Sequence, residues 1–286
     1  MKIGGFRDDR SGERFRAAYE RALRELWPGP KETLDVPTAF GTTRVYRAGP
    51  PGGRPIVLLS GAGGNALMWH RYVEALSRRH PVVAVDTVGE PGASVQTAPI
   101  GDGRDGAAWL EELLTALEVT EARVVGCSYG GWLALLHQIH HPGRTASLVL
   151  LDPAGFADPG WRFLTWAIAG GLAGMAPRPL RPPLARAVSN STILETELMR
   201  MMRSTMGFRR GLPAARVLTD EELRRVRVPC LFLLGARSAL HDSRQVAERV
   251  GALVPTARVE IVPGAGHALP TDHPELVAER VLTAAR

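Results

Sequence analysis

Residues 121–140 read EARVVGCSYGGWLALLHQIH, and this stretch is the most informative part of the chain. Its first seven residues form a short apolar run typical of a buried strand, and Tyr129 to His140 have the spacing of a helix. The junction, residues 126–131, is Gly-Cys-Ser-Tyr-Gly-Gly and matches G-x-S-x-G. Between a strand and a helix this pattern is typical of a nucleophile elbow, a tight turn whose small neighbours leave room for a strained serine. We therefore expect Ser128 to be a nucleophile held above a sheet edge; the alternative is an ordinary glycine turn.

The same alternation of strand and helix continues along the chain. Short, continuously apolar strands that alternate with helices indicate a mostly parallel sheet covered by helices on both faces. Before this rhythm begins, residues 13–27 predict an amphipathic helix, and residues 32–47 predict a hairpin that turns at Gly41. The predicted strands are residues 55–60, 81–86, 121–127, 146–152, 228–235 and 257–264, and the predicted later helices are 66–79, 104–118, 129–140, 243–253 and 274–285.

One segment, residues 157–216, interrupts the alternation. It contains APRPLRPPL, helical stretches, five of the seven methionines and two tryptophans, Trp161 and Trp166, and it shows no clear strand. We predict a helical lid inserted after the sixth core strand, ASLVLLD, so that residues 1–156 and 217–286 form the core. The apolar lid residues fit either a pocket for an acyl chain or simple packing onto the core.

Charge is uneven along the chain. The whole chain has a formal net charge of +6. Residues 157–216 hold nine arginines against three acidic residues, which accounts for the whole of that excess. Such a lid fits an anionic substrate, an acidic carrier protein or an anionic surface, or it is only a solvated arginine face.

Two further glycine-rich loops follow predicted strands. Ser60 to Asn65, SGAGGN, is a turn that can aim a backbone N–H at a developing oxyanion. Phosphate binding is the alternative for such a turn, but the complete phosphate-loop spacings are absent. His267 lies in PGAGH after the last strand, where α/β folds keep their sites, and it follows Ser128 in the chain order of this architecture. We expect His267 to be the general base.

The composition excludes several classes of protein. The chain has 286 residues, 45% of them hydrophobic, which excludes a disordered protein. Two cysteines exclude a disulfide scaffold or a four-cysteine zinc module. The longest apolar run, Phe163 to Ala176, is shorter than the roughly 20 residues of a membrane span, and the first residues lack a secretory pattern. We expect a soluble, cytoplasmic protein that does not bind nucleic acid, because no binding motif is visible. A metal at His137, His140 and His141 is not expected, since no carboxylate stands at ligand spacing.

The motifs SGAGGN, GCSYGG and PGAGHALP, each after a strand and in this order, resemble the α/β-hydrolase superfamily, closest to its small carboxylesterase-like members. The resemblance covers nearly the whole chain. It implies that Ser128 is the nucleophile, that the backbone N–H groups of Ala62 and Tyr129 form the oxyanion hole, and that no cofactor or metal is needed. The expected activity is cleavage of a small-molecule carboxylic ester through an acyl-enzyme. The alternatives are a thioesterase, acyltransferase or cyclase acting on a carrier-bound intermediate, and a non-catalytic binding protein.

The chain departs from the family at the acid of the triad. The family usually has G-x-x-D/E after the seventh strand, whereas residues 235–238 are Gly-Ala-Arg-Ser. Ser238 cannot carry the charge that stabilises an imidazolium. We favour Asp152, at the end of the sixth strand, where haloalkane dehalogenases keep their acid. Asp242 is the second candidate, although it also fits a helix N-cap, and an incomplete Ser–His pair is the third possibility.

Overall fold

A nine-stranded, mostly parallel sheet forms the centre of the protein. The computed structural model describes residues 2–284. The order across the sheet is β11-β10-β8-β7-β4-β5-β3-β2, with β6 paired to β3, while β1 and β9 form a separate two-stranded ribbon. The strands are β1 (Gly5–Phe6), β2 (Glu32–Thr38), β3 (Gly41–Ala48), β4 (Ile56–Leu59), β5 (Val82–Val85), β6 (Val95–Gln96), β7 (Ala122–Cys127), β8 (Thr145–Leu151), β9 (Phe208–Arg209), β10 (Cys230–Gly235) and β11 (Ala257–Val262).

Helices cover both faces of this sheet, as the sequence predicts. One face packs on residues such as Trp109, Leu113 and Trp132, and the other on Phe15 and Tyr72, all of them buried. The helices are α1 (Asp9–Leu26), α2 (His70–Ser77), α3 (Gly103–Ala116), α4 (Tyr129–His140), α5 (Trp161–Met175), α6 (Arg181–Val188), α7 (Thr196–Ser204), α8 (Asp220–Arg224), α9 (Ser243–Leu253), α10 (Leu269–Asp272) and α11 (Pro274–Ala284).

The strands β4, β5, β7, β8, β10 and β11 run parallel to one another. Every residue of β4, β5 and β10 is buried, which explains why these strands are apolar throughout rather than alternating. Because parallel strands end at the same edge, the loops after β4, β7, β8, β10 and β11 all emerge there. This edge is where α/β folds place their sites.

The predicted hairpin is present, but its turn lies one step earlier. The bend falls at Ala39 and Phe40, and Gly41 is the first residue of β3, with φ of +132°. A Cβ on Gly41 would lie 2.1 Å from the Val95 carbonyl oxygen. Glycine is therefore required by the close approach of β6, which sequence inspection of the hairpin cannot show.

Residues 157–216, which we call the lid segment, hold α5, α6 and α7 between β8 and β10. The expectation that this segment lacks a strand is wrong, because β9 pairs antiparallel with β1. The pairing joins Gly5 to Arg209 and Phe6 to Phe208, some two hundred positions apart along the chain, so local sequence does not reveal it. None of the helices in residues 2–284 combines the length and apolar character that crossing a membrane requires.

Candidate active site

Ser128 stands at a strained turn between β7 and α4. Its φ is +50° and its ψ is −112°, a conformation that non-glycine residues rarely adopt. The neighbouring glycines make the turn possible: a Cβ on Gly126 would lie 2.5 Å from the Gly130 carbonyl oxygen, and one on Gly130 would lie 2.4 Å from the Leu59 carbonyl oxygen. The glycines of GCSYGG are thus fixed by the close packing of β7, α4 and β4.

The turn after β4 lies directly beside Ser128. An ideal Cβ on Gly61 would lie 3.4 Å from the Ser128 Cβ. The Gly64 N–H donates to the Gly61 carbonyl at 3.0 Å, and Gly63 takes the positive φ of +73° that the turn requires. The hydrogen bonds found within residues 2–284 include none donated by the Ala62 or Tyr129 backbone N–H. Both groups are therefore without an acceptor among the described residues, and that of Tyr129 also lies at the positive end of a helix dipole.

His267 follows β11 and is held by Asp152 at the end of β8. The distance from His267 Nδ1 to Asp152 Oδ2 is 2.6 Å. Two aromatic rings from α5, Phe163 and Trp166, meet the imidazole edge-on, each with a centroid distance of 5.3 Å. Because a carboxylate can only accept, Nδ1 carries a proton in this contact, and the lone pair of a neutral ring is then on Nε2.

Asp152 is completely buried and accepts three hydrogen bonds. Besides His267, the Ser238 hydroxyl donates to Oδ2 at 2.6 Å and the Gly235 N–H donates to Oδ1 at 3.0 Å. Burial acts to raise the pKa of Asp152, but the hydrogen bond and charge of His267 and the remaining donors outweigh it and hold the pKa below its usual value. The carboxyl group is therefore kept ionised although it is buried.

The second candidate for the acid, Asp242, occupies a different place. Asp242 is the exposed N-cap of α9, and its carboxylate accepts from the backbone N–H groups of Arg244 at 2.9 Å and Gln245 at 3.2 Å. Ser238 sits where the family usually has its acid and donates to Asp152 instead. The structure thus brings Asp152, and not Asp242, to His267.

Sequence reasoning missed His241 as a neighbour of this group. Its side chain is buried, with Nε2 3.6 Å from Asp152 Oδ1, and neither ring nitrogen hydrogen-bonds a group within residues 2–284. Burial lowers the pKa of His241, against the opposing effect of Asp152, so the ring is favoured in its neutral form. No local signal in the sequence marks this residue, because its relation to Asp152 arises only from the packing of β8 beside β10.

Ser128 and His267 line one cavity of 230 Å³ at the carboxyl edge of the sheet. Its walls come from the SGAGGN turn, the loop after β11 and the lid segment, and apart from His267 none of its lining residues is ionisable at neutral pH. The hydrogen bonds found among the described residues do not include one between the Ser128 hydroxyl and His267. Such contacts are often long before substrate binds. The lid residues that line the cavity are Phe163, Trp166, Asn190, Thr192, Leu198, Met201 and Met202.

A larger cavity of 740 Å³ lies at the opposite edge, where β4, β5 and β7 begin. It is formed by the loops at residues 49–55 and 117–121 and contains none of the predicted site residues. The candidate active site is therefore identified by the side chains of Ser128 and His267 and not by the volume of the cavity.

Several other residues considered in the sequence make structural contacts. Asp86 accepts from the backbone N–H groups of Ala66 at 2.8 Å and Ala93 at 2.7 Å, and it ties two loops together. Cys127 is buried, and burial raises the pKa of its thiol. His137 contacts Glu111 with Nε2, at 3.0 Å. No group of three or more His, Cys, Asp or Glu side chains suited to hold a metal ion occurs within residues 2–284.

Comparison with known proteins agrees with this arrangement. Residues 56–280 match the Alpha/beta hydrolase family. The chain belongs to the α/β-hydrolase family. Carboxylesterase YbfK of Bacillus subtilis is 30% identical over 285 residues, covering 96% of this chain and 94% of that protein. The uncharacterized carboxylesterase nap of the same organism is 30% identical over 280 residues, covering 95% and 92%.

Solved structures of α/β-hydrolases agree with the fold over nearly the whole chain. The crystal structure of naproxen esterase from Bacillus subtilis has a TM-score of 0.85 at 29% identity and covers 96% of this chain and 98% of that one. The structure of carboxylesterase CesB from Bacillus subtilis has a TM-score of 0.84 with the same identity and coverage. The protein is thus an enzyme of the α/β-hydrolase family, a hydrolase similar to carboxylesterases.

Proposed function

We propose that the protein hydrolyses small carboxylic esters through an acyl-enzyme on Ser128. The observation that carries the proposal is that a strained Ser128 and His267, which is held by Asp152, line one cavity together with the SGAGGN turn. The full-length similarity to carboxylesterases supports an ester as the substrate.

In the proposed first half-reaction, His267 Nε2 takes the Ser128 hydroxyl proton as Oγ bonds to the ester carbonyl carbon. The carbonyl oxygen becomes an oxyanion that accepts from the Ala62 and Tyr129 N–H groups. Each such donor contributes about 10²–10³ in rate. The C–O bond then breaks, His267 gives its proton to the leaving alcohol, and the acyl group remains on Ser128.

In the second half-reaction, water replaces the alcohol. His267 takes a proton from the water while the water oxygen bonds to the acyl carbon. The bond from this carbon to the Ser128 oxygen then breaks, and His267 returns the proton to Ser128. In both halves Asp152 holds His267 in the tautomer with the proton on Nδ1 and stabilises the imidazolium. This completes the triad proposed here, Ser128, His267 and Asp152.

The cavity favours uncharged substrates with a short or compact acyl group. Its 230 Å³ lies below the roughly 300–1,000 Å³ of common ligand pockets. The apolar walls from Leu198, Met201 and Met202 would desolvate a charged group without pairing it. We therefore propose acetyl to short-chain or compact aromatic esters as the substrate class.

The alternative of a carrier-bound acyl substrate depended on a basic lid segment. Two of its arginines pair with carboxylates from outside the segment, Arg210 with Glu90 and Arg216 with Glu222, each at 2.5 Å, so the positive charge available to an acidic partner is smaller than the sequence count. Simple ester hydrolysis is the function that the geometry supports better.

The test is a chain-length series of p-nitrophenyl esters from acetate to dodecanoate, assayed with the wild type and with Ser128→Ala. We expect highest kcat/KM for the short esters and loss of turnover in Ser128→Ala. The matched control is Ser77→Ala, because Ser77 lies at the end of α2 and does not line the cavity. Full activity in Ser128→Ala, or turnover only when a carrier-bound thioester is supplied, would contradict the proposal.

A further inference from the structure

An ion pair with a buried carboxylate lies beside the turn that holds Ala62 and Gly63. Glu90, in the loop after β5, is 2% exposed, and its Oε1 accepts from Arg210 Nε at 2.5 Å. Glu90 comes from the GEPGAS turn, and Arg210 follows β9 at the end of the lid segment. The sequence gives no reason to pair them, since they are 120 positions apart.

Each member of this pair contacts one side of the proposed oxyanion hole. Glu90 Oε2 accepts from the Gly63 N–H at 3.0 Å, and Gly63 is the residue after Ala62. The Arg210 guanidinium carbon stands 4.1 Å from the centre of the Tyr129 ring, a cation–π contact on the residue that provides the second donor. One ion pair therefore connects the two backbone segments that carry the donors.

We propose that Glu90 and Arg210 are positioning residues for the oxyanion hole, an inference that rests on the proposed ester hydrolysis. Glu90 fixes the turn through Gly63. Arg210 stacks on Tyr129 and neutralises Glu90, whose charge would otherwise oppose a negative charge forming at Ala62.

The electrostatic part of this role follows from the burial of the Glu90 carboxylate. An ionised carboxylate beside an oxyanion site raises the energy of the transition state unless a cation offsets it. Burial raises the pKa of Glu90 even though Arg210 acts to lower it. The charged and titratable groups that face Glu90 from the surrounding elements are Arg210 and the Tyr129 phenol, and burial raises the pKa of that phenol as well. With Arg210 removed, Glu90 is neutral at low pH and becomes an unpaired anion as the pH rises.

The test is the pH dependence of kcat in Arg210→Gln and in the double variant Glu90→Gln/Arg210→Gln. We expect kcat of the single variant to fall by about 10- to 100-fold at alkaline pH with little change in KM, less than the loss of a donor itself. At acidic pH the deficit should shrink. The double variant, which leaves a neutral pair, should restore most of the alkaline kcat.

Two further variants separate positioning from a general loss of structure. Arg210→Lys keeps the cation and should stay folded, with an alkaline kcat close to the wild type. Arg216→Gln is the matched control, because Arg216 forms a similar pair with Glu222 at 2.5 Å but does not contact the turn that holds Ala62 and Gly63. The kcat of Arg216→Gln should equal that of the wild type at every pH. Thermal melts of all variants show whether each is folded.

The outcomes distinguish this inference from the proposed function. If the wild type hydrolyses esters and Arg210→Gln has wild-type kcat at every pH, the inference is overturned and the function stands. An alkaline loss that the double variant does not restore also overturns it, since the pair would then be merely structural. Should Arg210→Gln fail to fold, a large alkaline loss of kcat in folded Arg210→Lys would overturn the charge argument, and retained kcat would support it. A wild type without esterase activity overturns the proposed function and this inference with it.

Discussion

The change Asp152→Asn tests the role of the buried acid. Its effect can be worked out from the three donors around the carboxyl group, two on Oδ2 from His267 and Ser238 and one on Oδ1 from Gly235. An asparagine must point its NH₂ group at one side or the other. Facing Gly235 it would meet a backbone N–H, which cannot accept. Facing His267 and Ser238 it meets an imidazole and a hydroxyl that can both reverse their roles, so this orientation is favoured.

The favoured orientation holds His267 in the wrong tautomer. The asparagine NH₂ would donate to Nδ1, so that Nε2 carries the proton and cannot take one from Ser128. We expect kcat to fall by about 10⁴-fold, or about 5.4 kcal/mol in the barrier, with KM and the melting temperature little changed. The assay is steady-state hydrolysis of p-nitrophenyl acetate together with thermal melts.

Asp242→Asn is the matched control, because asparagine caps a helix as well as aspartate does. Its activity and stability should equal those of the wild type. If Asp152→Asn kept activity within tenfold while Asp242→Asn lost it, the assignment of Asp152 as the acid would be refuted.

Three further results are expected. Ser238→Ala removes one donor from Asp152 and should lower kcat up to about tenfold, which steady-state kinetics will measure. Burial lowers the pKa of His137 to about 4, against the effect of Glu111. The free energy of unfolding should therefore be highest above the pKa of the unfolded histidine and fall by about 2 kcal/mol from pH 7 to pH 5. Denaturant titrations should show a weaker pH dependence of this free energy in His137→Gln. Leu198→Ala enlarges the cavity and should move the preferred ester toward longer acyl chains; an unchanged chain-length profile would place the acyl group elsewhere.

The sequence predicts the sheet well because its signals are local. Each buried parallel strand is a short apolar run, and the elbow at Ser128 needs small residues within a few positions of the serine. Chain order and loop context also single out His267 as the candidate base. These features depend on residues that are close together in the sequence, so the sequence alone reveals them.

The remaining parts of the site depend on contacts between distant residues. Asp152 and His267 are 115 positions apart, so the sequence leaves the choice between Asp152 and Asp242 open until the strand order brings one of them to the histidine. The hydroxyl of Ser238 donates to Asp152 across 86 positions. The ribbon of β1 and β9 is hidden for the same reason. Sequence patterns identify the residues proposed to carry the chemistry but not the groups that hold them in place.

The central claim is that Ser128 is an activated nucleophile, and covalent labelling tests it most directly. The wild type and Ser128→Ala are treated with a fluorophosphonate, and the products are measured by intact mass and peptide mapping. We predict one adduct on the wild type, located on Ser128, and none on the variant. An unlabelled wild type, or an adduct that persists in Ser128→Ala, would contradict the proposed mechanism.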